Sequence, residues 1–147
     1  MQTFIVYNTK SKKLEDIRIS FRKTARILDM KRLGKQRVEA MQILDILVRN
    51  KQVTWKNHPA VKQWKGSEFY LFFYIEAICN EWTKRGYKDS CLKKSFNIIK
   101  KKKLGKIIPK FLFSRKFIKS HRSNLIRKDS KFYSKYFGNL RSDLPYE

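Results

Sequence analysis

Arg32, Lys35, Gln36, Glu39 and Gln42 recur at three- and four-residue steps. That spacing places them on one face of a helix. Glu39 is the member that invites chemistry, because it is an acid in a strongly basic stretch. Two readings of it stand side by side. One is an i,i+4 surface pair with Lys35, an interaction of about 0.2–0.5 kcal/mol. The other is a carboxylate held where a positively charged intermediate forms. Val38, Met41, Leu44, Leu47 and Val48 fill a different face with an apolar stripe, so the helix has a core to pack on.

A second group is Phe132-Tyr133-Ser134-Lys135-Tyr136-Phe137. Its rings either seal a core, or stack on bases while Lys131 and Lys135 meet phosphates; stacking of that kind contributes about 1–3 kcal/mol per base. Metal chemistry has little support. His58 and His121 are the only histidines, and no cysteine or acidic cluster has ligand spacing. His58, just before Pro59, reads as a cap or packing residue. No glycine-rich phosphate loop or nucleophile elbow occurs. Glu68, Glu76 and Glu81 read as structural, with Glu81 in reach of Arg85 at i,i+4.

The 147 residues suit a single domain, residues 1–147, with one core. Cys79 and Cys91 make no disulfide framework, and Cys79 sits in an apolar pattern that predicts a buried thiol. No apolar run reaches the roughly 18 residues of a membrane span, and the first residues lack a signal peptide's basic flank. An intracellular protein is expected. Lys and Arg total 36 against 12 Asp and Glu, a net charge of +24. Such a charge calls for a polyanionic partner, nucleic acid first and an acidic membrane surface second. The cations run from Lys10 to Arg141 among apolar positions, which favours a folded domain with a basic face over a basic tail.

The elements that must position these residues are helical. Thr3 to Tyr7 predicts a brief strand or an extended arm, followed by a loop from Asn8 to Lys13. Leu14 to Ser20 is ambiguous, and Ser20 is a candidate cap for a short helix over Phe21 to Leu28. Gly34 is expected to break or bend the chain before the main helix, which should end near Asn50. Asn57 or His58 can open a helix with Pro59 in its first turn. Glu68 to Arg85 is apolar all round, the mark of an enclosed central helix, and Gly86 is placed to end it. Asp89 is a candidate cap for a helix over Cys91 to Phe96. Lys100 to Lys103 reads as a solvated loop or a phosphate contact. The latter part of Phe111 to Lys128 is helical with Phe117, Ile118, His121 and Leu125 inward. Ser130 is a candidate cap for a last turn closed by Gly138, before an extended tail. The fold class is therefore all-α: a compact single-domain helical bundle with an extended N-terminal arm and an aromatic C-terminal segment.

Several blocks together resemble the pyrimidine dimer DNA glycosylase family, whose founding member is phage endonuclease V. They are Arg26 to Leu44, Asn57-His-Pro-Ala-Val-Lys-Gln-Trp-Lys-Gly66, Glu81-Trp-Thr-Lys-Arg-Gly-Tyr-Lys-Asp89, His121 to Asp129 and Leu144-Pro-Tyr146. They resemble most a branch of small viral and bacterial proteins. In the enzyme a histidine-leucine pair, a glutamate and an arginine-glutamate pair follow one another on the first long helix. Here Arg32-Leu33 stands for the first pair, Gln36 for the first glutamate, Val38 for the arginine, and Glu39 falls on the catalytic glutamate. The family's Lys-Arg-Gly-aromatic turn is matched by Lys84-Arg85-Gly86-Tyr87.

The resemblance implies repair of double-stranded DNA without a cofactor or metal. Its nucleophile would be the chain's own α-amine, here that of Met1, since Gln2 is too large for ordinary Met removal, or that of Thr3 only after unusual trimming. An α-amine titrates near about 7.7–8, so part of it is neutral at pH 7. It would attack C1′ beneath a damaged pyrimidine and form a Schiff base, with Glu39 stabilising the cation on the way to strand cleavage. Arg37 is a candidate replacement for the cation lost at Val38. The DNA-binding residues implied are Arg32, Lys35, Gln36 and Arg37, then His121, Arg122, Arg127 and Lys128, then Lys131, Tyr133, Lys135 and Tyr136. The competing reading is a non-catalytic DNA-binding or genome-packaging protein on the same fold, carried in a virion. A third is a structural protein bound to an acidic inner surface of a capsid or membrane.

Overall fold

The computed structural model describes residues 2–138 and 140–145. Among them seven α-helices form and no strand: α1 Leu14–Ile27, α2 Met30–Val48, α3 Pro59–Lys62, α4 Glu68–Lys84, α5 Cys91–Ile99, α6 Arg115–Lys128 and α7 Ser130–Phe137. Short 3-10 turns cover Thr54–Asn57 and Lys110–Phe113. No helix is long and apolar enough to cross a membrane among these residues. The all-α expectation holds.

Helix α4 is the centre, as its apolar circumference requires. It packs against α1, α2 and α5, burying Leu71, Tyr74, Ile75, Ile78 and Cys79. Arg85 caps it and Gly86 follows at φ +99°, a conformation costly to any residue with a Cβ. Phe21, Trp64 and Tyr74 form an aromatic cluster where α1 and α4 meet the turn after α3.

The first residues are an extended arm, and it is interior. Thr3, Phe4, Ile5 and Val6 are all buried. With no β-partner, the arm's backbone groups still need hydrogen bonds, and side chains from four helices supply them. Phe4 N–H donates to Gln36 Oε1 of α2, Ile5 N–H to His121 Nδ1 of α6, and Val6 N–H to Thr24 Oγ1 of α1. Phe4 C=O accepts from the Tyr74 hydroxyl of α4, and Val6 C=O from Arg122 Nε.

Four local expectations are corrected. Helix α1 starts at Leu14, not after Ser20; the Ser20 hydroxyl donates to Tyr7 C=O from mid-helix, so it ties down the arm instead of capping. Helix α2 runs through Gly34 from Met30, and the Trp82 ring lies over that position, where a Cβ would sit 3.1 Å from Trp82 Cζ3. Asp129, not Ser130, caps α7, accepting from Phe132 N–H. Helix α5 extends three residues past Phe96, to Ile99. His58 caps α3 through Nδ1, and the Asp89 carboxylate accepts from Cys91 N–H and Leu92 N–H at the start of α5.

Asp89 also binds Arg37 Nη1 at 2.6 Å and thereby clamps α5 to α2. Burial pushes its carboxyl up, but the hydrogen bonds from Leu92 N–H, Arg37 and Cys91 N–H prevail and hold it below the usual carboxylate range. A depressed carboxylate stabilises the fold above its unfolded pKa of about 3.9, and the contribution is lost as pH falls through the folded value. Asp89→Asn is therefore expected to lower the melting temperature at neutral pH and to flatten the acid dependence below about pH 4. Thermal melts of both proteins across that range make the comparison.

Candidate active site and cationic cleft

Glu39 lies midway along α2, half-buried, at the place where the arm crosses the helix. Its Oε2 accepts from Gln2 N–H at 3.1 Å and lies 3.5 Å from Gln36 Nε2. Among the described residues the carboxylate thus meets the arm, not Lys35. Gln36, one turn earlier and 2% exposed, acts as a clamp. Its Nε2 donates to Gln2 C=O and its Oε1 accepts from Phe4 N–H, so one carboxamide spans both sides of Thr3. The Tyr74 hydroxyl shares its proton between Gln36 Oε1 and Phe4 C=O. Asn124 Nδ2 holds the Gln2 side chain from α6, and Trp64 Nε1 donates to the Thr3 hydroxyl. Every contact fixes the arm's register relative to Glu39.

A cleft of about 440 Å³ opens beside this junction. Gln2 and Phe4 of the arm, Lys31, Arg32, Lys35, Gln36 and Glu39 of α2, and Lys128 of α6 line it. The three lysines are exposed. Arg32 is held by Asp29 Oδ2 at 3.3 Å and reaches toward Lys128 C=O at 3.5 Å. Four cations and one carboxylate share its lining. An anionic ligand would be attracted to the cleft as a whole, and Glu39 is the single group there suited to a developing positive charge.

The residues expected from the sequence divide into three groups. Glu39, Arg32, Lys35, Gln36 and Lys128 are brought together at the cleft. Arg127, Lys131, Lys135 and Tyr136 are exposed on α6 and α7. Lys135 Nζ lies 4.4 Å from the centre of the Phe132 ring, and Arg127 donates to Ser142 C=O. The others are interior or engaged elsewhere. His121 is 0% exposed and accepts the arm's Ile5 N–H. Tyr133 is likewise 0% exposed; its hydroxyl donates to Asp29 Oδ1, and burial followed by that bond raises its pKa. Neither can touch DNA in this fold, so both expectations are corrected. Arg122 is sandwiched between Tyr7 and Phe137 with its Nε on Val6 C=O, an arm staple. Arg37 stacks on Trp82 and pairs with Asp89, so it does not replace a cation at Val38. Gln36 lines the cleft, but both ends of its carboxamide are committed to the arm. Met1 and Tyr146 lie outside the described residues.

Lys31 escaped the sequence reading, although it stands one turn before Lys35 on the same face. Among the described residues no group of three or more His, Cys, Asp and Glu is placed to hold a metal ion.

An all-helical domain with an acid at an arm junction, beside a cationic cleft, is the class this geometry defines. The chain belongs to the pyrimidine dimer DNA glycosylase family, which matches residues 1–95 and so spans the arm, α1 to α4 and the start of α5. This makes it a DNA repair glycosylase, with DNA as the substrate of its class. No curated protein and no solved structure matches the chain.

Gln36→Leu preserves volume but leaves Phe4 N–H and Gln2 C=O without partners. Gln2 C=O is part-buried and within reach of water, so the main cost is the buried Phe4 N–H, about 1–3 kcal/mol. Denaturant unfolding should show a loss in that range with an unchanged m-value.

Proposed function

We propose that the chain is a DNA glycosylase with AP-lyase activity that acts on damaged pyrimidines through an α-amine at the head of the chain. The observation that carries the reading is the hydrogen bond from Gln2 N–H to Glu39. Gln2 is one covalent residue from the amine, so the nucleophile's carrier is tethered to the carboxylate.

The neutral amine attacks C1′ of the damaged nucleotide. The glycosidic C1′–N bond breaks, and the base leaves with that electron pair and gains a proton. Opening of the C1′–O4′ bond gives a protonated Schiff base between the amine and C1′, and Glu39 is the anion facing that cation. Removal of a C2′ proton expels the 3′-phosphate by β-elimination and cuts the strand. Water then hydrolyses the imine and restores the amine. Lys31, Arg32, Lys35 and Lys128 hold the phosphates flanking the reacting sugar. No cofactor enters the scheme.

Glu39→Gln tests the chemistry. The wild type should form a covalent adduct with abasic DNA that borohydride traps, and should cut UV-irradiated DNA. The variant should bind DNA with similar affinity and lose at least about a hundredfold in cleavage, as removal of a general acid–base group does. Binding without any wild-type adduct would favour the non-catalytic packaging role.

The cleft lysines make a separate prediction. Each phosphate contact contributes about 0.9 to the slope of log K against log salt concentration. Lys31→Ala, Lys35→Ala and Lys128→Ala should each reduce that slope by about this amount. Lys84→Ala, on the last turn of α4 and outside the cleft, is the control; titrations by fluorescence anisotropy at several salt concentrations read the slopes.

A further inference from the structure

Residues 90–128 carry fourteen Lys and Arg and no Asp or Glu. Eleven of those cations lie from Lys93 to Lys119, and all eleven are exposed. The family match ends at residue 95, so most of this acid-free stretch lies beyond it. The cleft draws on the stretch through Lys128 alone. Where the remaining cations fold decides what they can meet.

Residues 104–108 form a strap over the start of α4. Phe69 N–H donates to Gly105 C=O, Ile107 N–H to Gly66 C=O, and the Ser67 hydroxyl to Ile107 C=O. The two segments approach so closely that a Cβ on Gly105 would collide with Gly66 C=O. The strap seats Lys106 at the turn between α3 and α4, its Nζ 5.1 Å from the centre of the Phe69 ring. The four lysines at 100–103 lead into it. A hollow of about 190 Å³ lies at the same turn, bordered by Lys56, Lys62 and Lys65 and by Ile46 and Asn50 from the end of α2. Lys51 also borders it but is paired with Asp45. Glu68 is the one acid of the lining, its Oε2 buried and unpartnered, and three lysines outweigh it.

This second cationic site and the cleft lie along one face of α2, toward its two ends. Arg32, Lys35, Glu39, Gln42 and Ile46 follow at three- and four-residue steps, with Asn50 just past the helix. The first three line the cleft; Ile46 and Asn50 line the second site. A middle hollow shares Glu39 with the cleft and Ile46 and Lys51 with the second site, so it adjoins both. Glu39 to Asn50 spans about 16 Å along the helix axis. Phosphates of one DNA strand recur about every 3.4 Å, so that distance covers about five of them.

We propose that the second site holds the backbone of the duplex beside the reacting nucleotide, about five phosphates away and on one side only. The inference rests on the excision reading, which puts the reacting sugar at Glu39. A small anion would need one cationic site. Two such sites along a single helix face suit a polyanion whose charges repeat at a fixed spacing. Phosphate contacts position a protein and carry no base preference, so the second site sets the register of the duplex on α2 whatever its sequence.

Duplex DNA with a tetrahydrofuran abasic analogue makes the test, because the analogue lacks the C1′ hydroxyl and forms no Schiff base. Lys62→Ala/Lys65→Ala/Lys106→Ala should lower the slope of log K against log salt concentration by about 2–3. Uncharged methylphosphonates placed about four to seven nucleotides from the analogue should cost the wild type a similar part of its slope on one side and little on the other. The triple variant should be indifferent to them on both sides, while Lys35→Ala should respond as the wild type does. All three lysines are exposed, so thermal melts of the triple variant should match the wild type. An unchanged slope in the triple variant would overturn the second site. So would a lowered slope with an undiminished response to the methylphosphonates, since the lysines would then hold a separate DNA segment. Either result leaves the excision reading intact. A wild type that gives no borohydride-trapped adduct with true abasic DNA would overturn the excision reading, and the register with it.

Discussion

The structure depends on how an extended segment is made soluble inside a helical core. A buried arm without strand partners carries a full set of backbone donors and acceptors, each expensive to leave unmade. Here α1, α2, α4 and α6 each lend side chains to it: Ser20 and Thr24, Gln36 and Glu39, Tyr74, and His121 with Arg122. The helices consequently pack around the arm as well as against each other. Its position is fixed at both ends of the buried run, by Gln36 near Gln2 and by Ser20 at Tyr7.

That constraint shapes the site. A carboxylate surrounded by lysines would ordinarily be taken up by one of them. Glu39 is instead engaged by a backbone N–H and approached by a carboxamide, while the nearby cations border the cleft. The arrangement separates two tasks that a surface salt bridge would merge. In the proposed reading the lysines attract the polyanion, and the acid stays at the point where the arm meets the helix. In the same reading the wider charge of +24 would act in association with DNA, where it is screened by salt.

Periodicity made the helices legible wherever the pattern was local. The apolar circumference of α4, its end at Gly86, the inward set Phe117, Ile118 and Leu125, and the His58–Pro59 opening were all readable within a few residues. The failures involve partners far along the chain. Gly34 looks like a helix breaker until Trp82 covers it. Ser20 looks like a cap until Tyr7 C=O lies against it. His121 and Tyr133 look like DNA contacts because polar tips on aromatic rings suit both water and the interior; their partners, Ile5 and Asp29, lie more than 100 residues away. Glu39 stands out from its basic neighbourhood and from the family resemblance, which also implies an N-terminus beside the first long helix; no local rule names Gln2 as the residue whose N–H it accepts.

The register of the arm on α2 is the central claim, and backbone amide hydrogen exchange followed by NMR tests it most directly. If Gln36, His121 and Thr24 hold the arm as described, the Phe4, Ile5 and Val6 amides will exchange as slowly as those in the middle of α4. If those three amides exchange at the rate of a free chain end, the arm is not docked on Glu39 and the account fails.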